Sequence, residues 1–204
     1  MVTTPPRWDL SNVYPGLDSP ALAKDIEWVK ETTQSIKSLY QEKLVKINTE
    51  SSLEAINESI SEMVDRMNSL MEKAYTVRAY LHSFVSTDSF NQQATQMMSQ
   101  FDKVLVGIQQ VNVLLEAWVG QFTEVLPEVL ALGNSAGEHA FPVTEIAEQS
   151  QYLMSEKEEI LSSELSLSGS RAWTKLQGTV TSQKTVDFEL NGEVQTLPMP
   201  ALIN

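Results

Sequence analysis

Two long runs of apolar residues, spaced alternately by three and four, constrain the fold of this chain more than any other feature. The first run extends from Leu53 to Phe84 and the second from Phe90 to Phe122. Such spacing lines up apolar side chains on one narrow stripe of an α-helix, which must pack against neighbouring helices. The break between the two runs is short, near residues 86–89, so we expect a long antiparallel helical hairpin. The first seam consists of Leu53, Ile56, Ile60, Met63, Met67, Leu70, Ala74, Val77, Leu81 and Phe84, and the second of Phe90, Ala94, Met97, Phe101, Val104, Ile108, Val111, Leu115, Trp118 and Phe122.

A shorter helix precedes this hairpin and is expected to cover it. Asp18 or Ser19 can cap its first turn, which contains Pro20, and its apolar stripe extends to about Leu44 or Ile47. The expected caps of the next two helices are Ser51 or Ser52, and then Asp88 or Ser89. Residues 1–20 are expected to form an extended arm, pinned across the helices by Trp8, Leu10, Val13 and Tyr14.

The segment after Trp118 predicts several short helices. A helical turn is expected over 124–132, a loop over 133–137, and a helix opened by Pro142 over 143–149. Ser155 and Glu158 have the spacing of a capping box, which predicts a helix that ends near 168–170. A further short helix through Ala172, Trp173 and Leu176 is expected to end at Gly178.

Residues 186–196 alternate between apolar and polar side chains around Asn191-Gly192. This dipeptide is typical of a type I′ turn between two antiparallel strands. The fold class predicted is therefore mainly α, with a C-terminal β-hairpin. We divide the chain into an arm (1–20), a helical domain (21–180), and a segment (181–204) in which the hairpin is followed by the start of a further, truncated region beginning near Ala201.

The charge of the chain limits its partners. A formal net charge of −13 with scattered Lys and Arg residues argues against nucleic acid, whose phosphates require clustered cations. The same charge disfavours anionic membrane surfaces, and the sequence contains no apolar run long enough to span a bilayer. Since residues 1–20 also lack the pattern of a signal peptide, the expected location is cytoplasmic.

Few residues suggest a catalytic or metal-binding role. The chain has no Cys, and neither of its two histidines, His82 and His139, has the second His four residues away that a zinc-peptidase helix requires. We interpret His82 as a partly exposed helical residue and His139, next to Glu138, as a loop residue. The acidic group Glu156, Glu158 and Glu159 suits the first turn of a helix. No catalytic or metal-binding residue is therefore assigned, and the methionines near the seams are expected to fill the core.

Several short sequence segments, taken in order, resemble the oligoendopeptidase F-like proteins of the thimet oligopeptidase family of zinc metallopeptidases. They are Arg7-Trp8-Asp9-Leu10-Ser11 with Tyr14-Pro15, Tyr152-Leu153-Met154-Ser155-Glu156, the run 165–173, the run 176–185, and the Asn-Gly hairpin ending at Leu197-Pro198. The resemblance implies an N-terminal, helical, non-catalytic part that forms one wall of a channel in which short peptides are hydrolysed. It also implies that zinc is held by a later His-Glu-x-x-His helix, and that motif does not occur here.

The resemblance implies two partners: the catalytic domain of the same polypeptide, and short peptides. The alternative is a stand-alone helical adaptor that binds a partner helix or peptide. An independent enzyme is disfavoured, because no nucleophile–base pair or metal motif is found. A scaffold should expose apolar surface near 186–202 and dimerise or dock through it, whereas an adaptor should have a polar hairpin end and a groove along its helices.

Overall fold

The computed structural model describes residues 9–190 and 192–198, which form a mainly α-helical fold with a two-stranded antiparallel hairpin at its end. The helices are α1 (Pro20–Glu42), α2 (Leu53–Thr87), α3 (Gln92–Gly120), α4 (Leu126–Ala131), α5 (Asn134–Glu138), α6 (Ala140–Gln149), α7 (Glu156–Ser168) and α8 (Ser170–Gln183). Single 3-10 turns span Leu44–Lys46 and Ser150–Tyr152, and the strands are β1 (Thr185–Leu190) and β2 (Glu193–Pro198). The predicted fold class is confirmed.

Helices α1, α2 and α3 pack on one another as an up-down-up bundle. Ion pairs at both ends of α1 show that it runs antiparallel to α2: Lys73 contacts Asp25 at 3.0 Å, and Lys43 contacts Glu62. At 1.5 Å per residue, the 35 residues of α2 extend about 52 Å. The long antiparallel hairpin of α2 and α3 therefore forms the frame of the molecule, as predicted.

The first seam forms the core side of α2. Most of its members are buried, and Leu53, Met67 and Phe84 pack against the core while partly exposed. The second seam is buried from Ala94 to Phe122 except for Met97 and Val104, which are partly buried. Phe90 is 71% exposed, so the prediction that it belongs to this seam is wrong.

Helix capping explains why Phe90 leaves the core. The predicted caps Ser19 and Ser52 are confirmed, since their hydroxyls accept hydrogen bonds from backbone N–H groups two and three residues later. The third helix, however, is capped by Asn91, whose side chain accepts from the N–H of Ala94 at 2.9 Å. Phe90 therefore belongs to the turn before α3, where its N–H donates to the Asp88 carboxylate at 2.9 Å.

Residues 134–138 form helix α5, so the predicted loop over 133–137 is wrong. The chain enters α5 through two residues with positive φ, Gly133 (84°) and Asn134 (57°). A buried side chain of α2 secures this entry: the Asn57 amide donates to the carbonyl oxygens of Val129 (2.8 Å) and Gly133 (3.0 Å) and accepts from the side chain of Asn134 (2.8 Å). These long-range hydrogen bonds have no local sequence signal.

Three further boundaries differ from the predicted ones. Helix α1 ends at Glu42, and a separate 3-10 turn follows it. Helix α6 begins at Ala140, two residues before Pro142. Helix α8 does not stop at Gly178 but continues to Gln183, because a glycine inside a helix costs only about 1 kcal/mol.

Helices α7 and α8 follow one another along α3 in the antiparallel direction, with only Gly169 between them. Glu164 of α7 accepts from Gln110 at 3.4 Å, and Arg171 of α8 donates to Gln109 at 3.0 Å. The capping box of Ser155 and Glu158 at the start of α7 is confirmed.

The described part of the N-terminal arm, residues 9–19, is folded into turns rather than extended, so that expectation is wrong. Tyr14 is buried and Leu10 is packed against the core, as predicted, whereas Val13 is 41% exposed. Trp8 lies outside the described residues.

The strands of the hairpin pair in the register Val186–Leu197 and Glu189–Val194, and Gly192 has the positive φ (84°) that its turn requires. The predicted hairpin is therefore confirmed. The region predicted to begin near Ala201 lies outside the described residues.

Candidate functional site

Helix α7 exposes two of its three leucines to solvent. Its one buried residue is Ser163, which is 3% exposed, whereas Leu161 and Leu165 are 54% and 58% exposed. With about 100° of rotation per residue, each leucine lies about 160° around the helix from Ser163. The side of α7 that faces α3 carries Ser163 together with the half-buried Ile160 and Leu167, so α7 has apolar residues on both sides.

Helix α8 likewise exposes apolar side chains. Arg171 and Lys175 reach back to the side chains of Gln109 and Ser99 on α3. None of the residues of α8 is buried, and its large apolar side chains lie roughly 100–180° around the helix from those two cations. These side chains are Trp173, Leu176 and Val180, which are 70%, 51% and 52% exposed.

We call the exposed apolar residues of the two helices the apolar stripe; its α7 part is Leu161 and Leu165, its α8 part is Trp173, Leu176 and Val180, and the non-helical backbone of Gly169 separates the two parts. Their exposed fractions amount to roughly 600 Å², taking about 200 Å² for one large apolar side chain. That equals the upper range of the largest apolar patch on a typical monomer, and patches of this size mark interaction sites. The apolar stripe is the candidate functional site of this chain.

The hairpin extends the exposed apolar surface. Val186 and Phe188 lie on one face of β1 and are 37% and 44% exposed, while Val194, paired with Glu189, lies on the other face and is 70% exposed. Apolar side chains are thus exposed on both faces of the hairpin, and the docking surface expected over 186–202 stays a prediction. The stripe was not predicted, because the spacing of apolar residues along a helix does not show whether a neighbour covers that side.

The two histidines lie apart from this stripe. His82 is exposed on α2 and hydrogen-bonds Ser86 at 3.0 Å, in keeping with its interpretation as a helical surface residue. His139 lies in the one-residue turn between α5 and α6, where one ring nitrogen contacts the carbonyl oxygen of Ser135 at 3.0 Å and the other contacts Asn68 at 3.3 Å. Within residues 9–190 and 192–198, no three His, Asp or Glu side chains are grouped so as to hold a metal ion.

The acidic residues at the start of α7 have structural partners. Ser155 donates to Glu158 through its backbone N–H and its hydroxyl, and these hydrogen bonds lower the pKa of that carboxyl. Burial raises the pKa of the half-buried Glu116 on α3, and the charge of Glu159 adds to this, while a hydrogen bond from Asn112 partly offsets it. We find here a packed contact between α3 and α7 rather than a reactive centre.

A second polar cluster joins the arm to the bundle. The Tyr14 hydroxyl donates to Asp25 at 2.7 Å, Lys73 donates to the same oxygen at 3.0 Å, and the Tyr80 hydroxyl donates to the carbonyl oxygen of Tyr14 at 2.9 Å. Burial alone would raise the pKa of Asp25, but the two donors and the charge of Lys73 outweigh it and hold that pKa below its usual value. Burial and the neighbouring Asp25 carboxylate raise the pKa of Tyr14. Each of these groups is engaged in holding the arm.

An open groove of about 1270 Å³ lies between the arm and the last turns of α2. Its walls include the exposed side chains of Tyr75, Arg78 and His82, with Asp88 at the turn into α3. Because residue 9 is the first one described beside it, we assign no ligand to this groove.

No family model, curated protein or solved structure matches this chain. Among the described helices, none has the length and hydropathy needed to cross a bilayer.

Proposed function

We propose that this chain is the N-terminal, non-catalytic part of a cytoplasmic oligoendopeptidase F-like zinc metallopeptidase. The apolar stripe is the observation that carries the proposal, because an exposed apolar surface of roughly 600 Å² fits a segment that is covered by another part of the same protein. The order of the motifs that resemble this family is the second support.

The described residues do not form a zinc site, so we assign this chain no step of peptide hydrolysis. Its contribution would be mechanical. The bundle of α1, α2 and α3 provides a rigid wall about 50 Å long, with large buried side chains such as Phe101, Leu115 and Trp118 fixing the helices. A wall of this kind excludes folded proteins by size and admits short, extended peptides.

The partner in this proposal is the catalytic domain of the same polypeptide, docked against α7, α8 and the hairpin. The docking would bury Trp173 and Leu176, which are exposed to solvent in this chain. An aromatic side chain with aliphatic neighbours is a common centre of a protein interface.

The coding sequence downstream of Asn204 provides the first test. A His-Glu-x-x-His motif a few hundred residues later would support the proposal, and a stop codon directly after Asn204 would refute it. The second test is peptide hydrolysis by the complete gene product. Replacing Trp173 with Glu should then lower activity by disturbing the docking, whereas the control Phe90→Glu, at an exposed apolar residue outside the stripe, should not.

The alternative is a stand-alone adaptor that binds a partner helix. The helical spacing of the apolar stripe favours it specifically, because such a stripe accepts an amphipathic helix lying along it. A stop codon after Asn204, combined with recovery of one defined helical partner that the Trp173→Glu variant no longer binds, would favour the adaptor.

A further inference from the structure

We propose that helix α8 and the hairpin form a separate folding unit, which opens away from the protein while α1 to α7 stay folded. Gly169 is the hinge of this movement, and α8 with β1 and β2 is called the C-terminal unit. The inference goes beyond the peptidase proposal and does not depend on it, because it concerns only how this unit is attached to the rest of the chain. Burial, the contacts of the unit and the backbone before it carry the proposal.

The described side chains of the C-terminal unit lie outside the protein core. Those at positions 171–180 are all exposed, and the most covered ones, Thr181, Ser182 and Leu197, are only partly buried. These three lie at the end of α8 and on β2, two elements that pack on each other. Because burial of apolar surface is the main source of folding stability, packing on the bundle stabilises this unit far less than it stabilises α2 and α3.

Within the described residues, two side-chain hydrogen bonds connect the C-terminal unit to the bundle. Arg171 donates to Gln109 at 3.0 Å, and Lys175 donates to Ser99. All four residues are exposed. A hydrogen bond at an exposed site adds little net stability, because water satisfies both groups once it breaks. The attachment to α3 is therefore weak.

Helix α7, in contrast, is anchored. It packs on α3 and places Ser163 inward with 3% exposure, on the same side as the partly buried Ile160 and Leu167. The change from an anchored to a weakly attached helix occurs at Gly169, whose backbone (φ −90°, ψ −115°) is not helical. Glycine has no Cβ, so it can change φ and ψ widely, as a hinge residue must. Opening therefore leaves α7 in place.

The C-terminal unit should open cooperatively rather than piece by piece. Lys184 alone separates α8 from β1, and β2 packs on α8. A two-stranded hairpin is marginal in water, so it depends on the surface that α8 provides. An isolated helix of 14 residues is marginal as well. Loss of the contacts with α3 therefore exposes the backbone amides of both parts to solvent together.

Hydrogen exchange of the 204-residue chain, followed by mass spectrometry, measures this opening. Amides of α8 and of the hairpin should show similar protection, at least about 100-fold weaker than that of α2 and α3. The double variant Arg171→Ala/Lys175→Ala should speed exchange in the C-terminal unit by a further factor of about 3–10, because it removes both hydrogen bonds to α3. The control Arg78→Ala/Lys46→Ala, with the same changes at exposed positions outside the unit, should leave this exchange unchanged. Protection in α8 equal to that in α2, or a hairpin that stays protected while α8 exchanges, would overturn the proposal.

Limited proteolysis with trypsin provides an independent test on matched cleavage sites. Lys175 of α8 and Arg78 of α2 both have exposed side chains, so exposure alone predicts similar cleavage. A protease cuts a helix when it opens, and the rate then follows the population of the open form. Cleavage after Lys175 should be at least about 100-fold faster than cleavage after Arg78. Equal rates at the two sites would refute a separate opening of the C-terminal unit.

Discussion

Replacing Asn57 with Ala should destabilise this protein strongly, although the residue has no catalytic assignment. Asn57 is 1% exposed, and its amide makes three hydrogen bonds, to Val129, Gly133 and Asn134, over sequence separations of more than 70 residues. Alanine would leave two carbonyl oxygens and one side-chain amide without this partner.

The size of the effect follows from the number of lost hydrogen bonds. At about 1 kcal/mol for each net hydrogen bond, the loss is roughly 3 kcal/mol, and unsatisfied buried groups can increase it. For a protein of this length, that corresponds to a fall in Tm of about 6–12 °C. The higher helix propensity of Ala returns roughly half a kcal/mol.

The matched control is Asn68→Ala, the same substitution at an exposed position of the same helix, so the gain in helix propensity cancels. Urea unfolding followed by circular dichroism at a fixed protein concentration measures both variants. Asn57→Ala should cost at least about 2 kcal/mol more than Asn68→Ala. Equal stabilities would refute the argument that this amide secures the path of the chain between α4 and α5.

Two further predictions concern α3. Because burial raises the pKa of Glu116, its ionised form destabilises the fold once the pH rises above the ordinary carboxyl value. Glu116→Gln should therefore raise Tm at pH 7 and leave it unchanged at a pH below that value, and a thermal shift of the same size at both pH values would contradict this. Gly120→Ala should lower the free energy of unfolding by about 1–3 kcal/mol, because the new Cβ would lie 2.5 Å from the Cβ of Ser150. Gly107→Ala, whose nearest neighbour is 3.8 Å away on Thr33, should instead stabilise the fold by about 0.5–1 kcal/mol. Urea unfolding compares the two variants, and a harmless Gly120→Ala would show that Ser150 can move.

The elements best predicted from sequence are those with a signal of their own. The two seams locate α2 and α3, Ser19 and Ser52 mark where helices begin, and Asn191-Gly192 marks the hairpin turn. In each case neighbouring residues supply the pattern, because helical periodicity, capping and turn preferences act over a few residues. The family resemblance stays a prediction.

The errors occurred where two local signals compete or where distant residues decide. Phe90 continues the spacing of the second seam, but Asn91 caps the helix after it and leaves Phe90 in the turn. Gly133-Asn134 reads as a loop, yet the hydrogen bonds from Asn57 allow a helix to begin there. Both outcomes were decided by hydrogen bonds that the spacing of apolar residues does not report.

The candidate site, too, was determined partly by local sequence and partly by tertiary contacts. The sequence by itself determined that 156–183 is helical over most of its length and that Leu161, Leu165, Trp173, Leu176 and Val180 recur at helical spacing. Only the tertiary structure decided that these side chains face solvent. The rotation of a helix about its axis depends on which residues contact its neighbour, and in α7 the side turned inward carries Ile160, Ser163 and Leu167. An apolar stripe predicts a buried face, but whether the same chain or another surface buries it depends on contacts between residues distant in sequence.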